Sequence, residues 1–295
     1  MTAYGARTIK RDRRTAQRVN TLDDQIIAVL AEDHPQSVRH VFYRMTDPRL
    51  AEPVEKSDRG YRHVQDRCVK LRRSGRLPYG WLADSTRRGY HTDTFTSAPD
   101  FLRRMNGLYR ADLWADAASY VEVWVESRSI AGVIQDDCKE LAVSLYPCGG
   151  FSSITLAYEA AEAINAGVAG RHVVILYVGD YDPAGVLIDK SLERELRVHL
   201  DQSIELTFER IGITEKQVAQ FYLPTNPRKT TDNRSRDVKY AVEAEAMPAA
   251  TMRALVRDRV EAFLPQHALV IAKVAEADER KHILRMAQLL ERRHG

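Results

Sequence analysis

The chain has 295 residues, of which 44% are hydrophobic and 29% charged, an ordinary balance for a folded protein with room for two domains. Its longest apolar run, around Val173 to Val178, is far short of the ~20 residues that span a bilayer, and no apolar signal region opens the chain. A membrane protein is thereby disfavoured and a cytoplasmic one expected, nucleoid-associated if bacterial. Cys68, Cys138 and Cys148 make an odd set without CxxC spacing, which argues against a disulfide framework or a zinc site. The net charge of +3 hides an asymmetry: residues 1–90 hold 19 Lys and Arg against 11 Asp and Glu, and the remainder 25 against 30. A basic first part joined to an acidic second part fits a DNA footprint beside a carboxylate metal site, and solvated arginine-rich helices are the plainer alternative.

Residues 1–20, with Lys10, Arg11, Arg13, Arg14 and Arg18, lack apolar periodicity and read as a loose basic arm. From Thr21 the pattern is helical through Ile26, Ile27 and Leu30. Ser37 can cap a second helix carrying Val38, Val41 and Phe42. Ser57 can cap a third, stopped by Gly75 and Pro78 after Arg67, Lys70, Arg72 and Arg73. Gly80-Trp81-Leu82-Ala83 reads as a short strand. Three helices closed by a strand suggest a winged helix-turn-helix, with Arg67, Lys70, Arg72 and Arg73 as its DNA-binding face.

His91 to Pro99 reads as a linker and Asp100 to Tyr109 as a bridging helix. This divides the chain into an arm (1–20), a mainly helical domain (21–110) and a second domain (111–295). In the second domain strands alternate with helices: a strand at 120–126, a helix from Ile130 to about Leu145, a short strand into Gly149-Gly150, and a helix ending near Gly167. The strand 172–178, a helix at 184–200 and a strand at 204–208 follow. The run His172 to Val178 is rich in β-branched residues and nearly continuously apolar, as a parallel strand buried on both faces should be. The rhythm predicts an α/β parallel sheet, and residues 248–295 read as amphipathic helix.

Open α/β sheets bind ligands beyond the carboxyl ends of their strands. Two predicted strands end in acid: one runs into Glu126, the other into Asp180-Tyr181-Asp182. Three oxygen donors without His or Cys favour a hard ion, Mg²⁺ or Mn²⁺. The plain alternative for Asp-x-Asp at a strand end is a helix cap beside a solvated neighbour.

The combination VEVWVES, PCGGFSS (147–153) and GDYDPAG (179–185) strongly resembles the TOPRIM domain, a Rossmann-like parallel sheet. More narrowly it looks like the A subunit of archaeal topoisomerase VI and the related meiotic double-strand-break protein. The resemblance implies that Glu126, Asp180 and Asp182 hold Mg²⁺. It departs where the group commonly has a lysine after the glutamate, since Ser127-Arg128 stands here. Upstream, Arg39-His40-Val41-Phe42-Tyr43 matches the Arg-x-x-aromatic-Tyr of the family's winged-helix domain, whose last residue is the nucleophile. On a helix Arg39 and Tyr43 share a face. A cation beside a phenol of pKa ~10 favours the phenolate and stabilises charge on phosphorus. Plain packing of Phe42 and Tyr43 is the alternative.

FYLPTNPRKTTDNRSRDVKYAVEAEAMP (221–248) is similar to the C-terminal part of the same group. Lys229, Arg234 and Arg236 could track a DNA backbone there. Glu243 and Glu245 could support the metal, although their alternation better fits a solvent-facing strand edge. The expected activity is DNA cleavage by transesterification through Tyr43, giving a 5′-phosphotyrosyl intermediate. A water-using metal nuclease and a non-cleaving DNA-binding protein are the rivals. No GxxxxGK[ST] loop is present, so strand passage would need a separate ATPase subunit. The resemblance also implies a homodimer in which Tyr43 of one copy meets the acids of the other.

Overall fold

The computed structural model describes residues 14–83, 92–149, 154–168, 170–228, 235 and 237–294. Lys10, Arg11, Arg13, Lys229, Arg234 and Arg236 lie outside them. The chain divides into two compact units, 1–82 and 83–295. The division therefore falls well ahead of the expected one near residue 110. Among the described residues no helix is long and apolar enough to cross a membrane.

The first unit is helical: α1 (Ala16–Glu32), α2 (Val38–Met45) and α3 (Asp58–Arg73). Each is capped by a hydroxyl, Thr15, Ser37 and Ser57 accepting from the backbone N–H groups of Arg18, His40 and Gly60. Gly75, at φ +74°, ends α3 in the left-handed region that favours glycine. Leu22, Ile26, Leu30, Val41, Met45 and Val64 are fully buried and supply the apolar contact. Two expectations need correction. The helix starts at Ala16, so Arg14 and Arg18 are no part of a loose arm; both pair with the buried Glu52. Residues Tyr79–Trp81 form a 3-10 turn with one parallel bridge, Leu82 to Gln36, where a strand was expected.

The second unit is an α/β structure. After α4 (Ala98–Met105) come β1 (Ser119–Val125), α5 (Arg128–Glu140), β2 (Ser144–Pro147), α6 (Ile154–Gly167), β3 (His172–Val178), α7 (Gly185–His199) and β4 (Leu206–Gly212). Then follow α8 (Glu215–Gln220), the two-residue β5 (Asn226–Pro227) and β6 (Tyr240–Ala241), α9 (Ala249–Glu261) and α10 (Ala268–His294). The expected bridging helix, α4, belongs to this unit: Arg103 pairs with Glu291 of α10, and Arg110 pairs with Glu276 of α10 at 2.9 Å. The four long strands form one parallel sheet in the order β2-β1-β3-β4. From Val173 to Val178 every residue of β3 is fully buried, because helices cover both faces of a parallel sheet. On one side Trp124, Ile175 and Tyr177 pack with Ala161 and Ile164 of α6 and Leu192 and Leu196 of α7.

Candidate functional site

In the order β2-β1-β3-β4 the chain runs outward from β1 to one edge, then returns past it to β3 and the other edge. The strand order reverses between β1 and β3, and it is beyond the carboxyl ends of such a pair that a crevice opens. Val125 and Val178, the last residues of β1 and β3, are register partners. Glu126 and the Gly179-Asp180-Tyr181-Asp182 turn therefore leave the sheet side by side.

Backbone bonds fix this corner. The Glu126 N–H donates to Val178 O (2.8 Å), and its carbonyl accepts from Gly149 N–H (2.9 Å). Glu126 Oε2 accepts from the Asp180 N–H at 2.9 Å. Burial pushes the Glu126 carboxyl above its ordinary range, and the negative charges of Asp182 and Glu245 add to the effect. Asp180 Oδ1 accepts from Ala244 N–H at 2.8 Å. Its carboxyl is pushed up to about 8, by burial first and then by the charges of Glu126, Glu245 and Glu243. Asp182 Oδ1 accepts from Ala184 and Gly185 N–H at 2.9 and 2.6 Å, starting α7 as an aspartate at a helix N-terminus does. The helix-cap role and a place beside the other acids are thus combined in one residue.

A fourth carboxylate comes from far along the chain. Backbone bonds between Tyr181 and Val242 (2.8 and 2.9 Å) carry residues 242–246 onto the turn. Glu245 there is buried, and its Oε1 accepts from the hydroxyls of Ser127, at 3.1 Å, and Ser129. The solvent-facing strand edge favoured for Glu243 and Glu245 is corrected: residues Ala244–Ala246 form a 3-10 turn, and Glu245 points inward. Ser127, the residue that departs from the resembling group, both caps α5 through Ile130 N–H and holds Glu245.

Two further residues escaped the sequence reading. Arg210 of β4 donates to the carbonyls of Gly179, Asp180, Ile213 and Gly185 at 2.6 to 3.3 Å and pairs with Asp189 at 2.6 Å. It thereby fastens the turn from beneath. Tyr177 is fully buried, yet its hydroxyl has no hydrogen-bond partner among the described residues. A Cβ on Gly179 would stand 2.6 Å from that hydroxyl and 2.7 Å from Glu126 Oε2. Any side chain at this position would crowd both oxygens.

The donor set, carboxylates with a phenol nearby, suits a hard divalent cation. Among the described residues no three His, Cys, Asp or Glu side chains stand at the spacing of a formed metal site. The thiols of Cys68, Cys138 and Cys148 are buried and pushed up to about 12, so all three are poor ligands.

In the first unit Tyr43 lies on α2 and is 8% exposed, between Phe42 and the Lys56 ammonium 5.7 Å from its ring centre. The guanidinium of Arg39 lies over the ring of Tyr61 at 4.6 Å. Of the expected DNA-binding residues, Arg67 is engaged by the buried Asp23 (2.7 and 2.5 Å) and Arg72 by the carbonyls of Tyr79 and Leu82. Lys70 and Arg73 are exposed. The chain matches no family model, curated protein or solved structure with which it was compared.

Proposed function

We propose that the chain is a divalent-metal-dependent DNA-cleaving protein whose second unit is a TOPRIM-type domain and whose first is a winged-helix-type domain. One observation carries the reading: Glu126, Asp180 and Asp182 leave the adjacent ends of β1 and β3 where the strand order reverses, and Glu245 is held against them. Glu126, Asp180, Asp182 and Glu245 would hold Mg²⁺ or Mn²⁺. When bound, the cation supplies positive charge to the phosphate oxygens. Tyr43 is the nucleophile of this reading. Its Oη forms a bond to phosphorus, the bond from phosphorus to the 3′ oxygen breaks, and the phenolic proton ends on the freed 3′ hydroxyl. A 5′-phosphotyrosyl chain and a nicked strand result. The reading further implies a homodimer and, for strand passage, a separate ATPase chain.

A water-using nuclease is the second reading, favoured by the burial of Tyr43. The test is Tyr43→Phe with Mg²⁺ and supercoiled DNA. Transesterification requires that cleavage and the covalent protein–DNA adduct vanish together while folding persists. Cleavage that continues without adduct establishes the water-using reading instead.

A further inference from the structure

The arginines that the sequence offers for DNA are unequally available. Arg67 is held by Asp23, Arg72 by two carbonyls and Arg76 by Asp24. At 100° per residue, Arg59, Arg62, His63, Asp66, Lys70 and Arg73 fall on one face of α3, from which Arg67 and Arg72 are rotated away. Arg59, Arg62, Lys70 and Arg73 are exposed along it, over a length of about 21 Å.

The start of this face opens on a cleft of about 740 Å³, whose other wall holds Arg14 and Arg18. Glu52 fixes those two guanidinium groups: Arg14 Nε donates at 2.5 Å and Arg18 Nε at 2.8 Å. Arg59 makes no hydrogen bond or ion pair with a described residue. Arg62 reaches only the carbonyl of Asp58, one turn back, at 3.4 Å. His63 also lines the cleft, and its Nε2 is buried without a hydrogen-bond partner among the described residues. Burial, and then the positive charges of Arg14, Arg67 and Lys70, hold this imidazole below its ordinary pKa. Four arginines outnumber the two acids of the lining, Glu55 and Asp66. A pre-set cationic cleft suits an anion, which the buried, unpartnered His63 Nε2 can meet in its N–H tautomer, and the cationic face running from the cleft suits an extended one. A DNA backbone meets both needs.

We infer that DNA phosphates seat in the cleft at the start of α3, on Arg59, Arg62 and the His63 Nε2–H, and follow the helix past Lys70 to Arg73. The contact surface thus begins about two turns before Arg67 and runs along a face from which Arg67 and Arg72 are rotated away. This inference rests on DNA being the partner in the proposed function.

The test measures binding of a labelled 30-base-pair duplex to the full chain by anisotropy across a salt series. Wild type is compared with Arg59→Ala/Arg62→Ala and with Arg44→Ala/Arg49→Ala, which removes equal charge away from the cleft. Thermal melting checks that each variant is folded. The cleft variant should bind about tenfold more weakly at 0.1 M salt, with the log–log salt slope reduced by about one per arginine. The control should stay within about threefold of wild type. In wild type the His63 ring resonances should move when duplex is added. Equal losses in both variants, or wild-type affinity in the cleft variant, overturns the cleft. Wild type that fails to bind duplex at all overturns the DNA-acting reading along with it.

Discussion

Replacing Arg210 tests whether the acidic turn is fastened from below. The guanidinium and its Asp189 partner are each 14% exposed, and the same group bonds four carbonyls of the turn and its surroundings. Arg210→Ala leaves Asp189 without its cation and removes the bonds to Gly179, Asp180, Ile213 and Gly185. Removing one partner of a buried pair costs ~3–5 kcal/mol, which in a unit of this size lowers the melting temperature by about 6–20 °C. Arg210→Lys keeps the charge but not the planar fan of donors, so about half of that loss should remain. The three tryptophans divide between the units, Trp81 in the first and Trp114 and Trp124 in the second. A Trp81→Phe background therefore makes fluorescence report the second unit alone. A loss below about 1 kcal/mol for alanine, or a lysine variant as stable as wild type, refutes the idea that Arg210 organises the turn.

Mg²⁺ or Mn²⁺ should raise the melting temperature of wild type, and Asp180→Asn should abolish the response; an unchanged response in calorimetry removes Asp180 from the site. Gly179→Ala should cost about 1–3 kcal/mol in urea unfolding, because its Cβ meets the oxygens of Tyr177 and Glu126; wild-type stability would show that they do not crowd this position. Glu52 is held below the usual carboxylate range by its bonds to Arg18 and Arg14. Its stabilisation is complete above the unfolded value of about 4.3 and disappears as pH falls through the lower folded value. Acid unfolding followed through Trp81 should therefore be less steep in Glu52→Gln, and an identical pH profile would exclude the Glu52 clamp.

The sheet was legible because parallel strands buried on both faces leave nearly continuous apolar runs, and Glu126 and Asp180 stand where those runs stop. Two helix starts were legible too, since Ser37 and Ser57 cap locally, whereas the start of α1 at the Thr15 cap was not. Contacts distant in sequence were not. Glu243 and Glu245 alternate as strand residues do, and nothing near them announces Ser127 and Ser129. Arg67 looks as available as Lys70 until Asp23, 44 residues earlier, is placed against it. Arg210 was hidden for the same reason: it lies past the strand expected at 204–208, and the turn that it bonds is about 30 residues earlier.

The seam that closes the carboxylate site also sets when it can exist. Ser129 and Glu245 are separated by 116 residues, and Asp180 and Ala244 by 64. Loops of that length form late relative to local helices and neighbouring strands. During synthesis β1 and β3 can pair while residues 242–246 are still untranslated, so the nascent sheet carries Asp180 without its bond from the Ala244 N–H, and Glu126 and Asp180 without the fourth acid. The four-carboxylate cluster is thus completed last, after the rest of its sheet is in place.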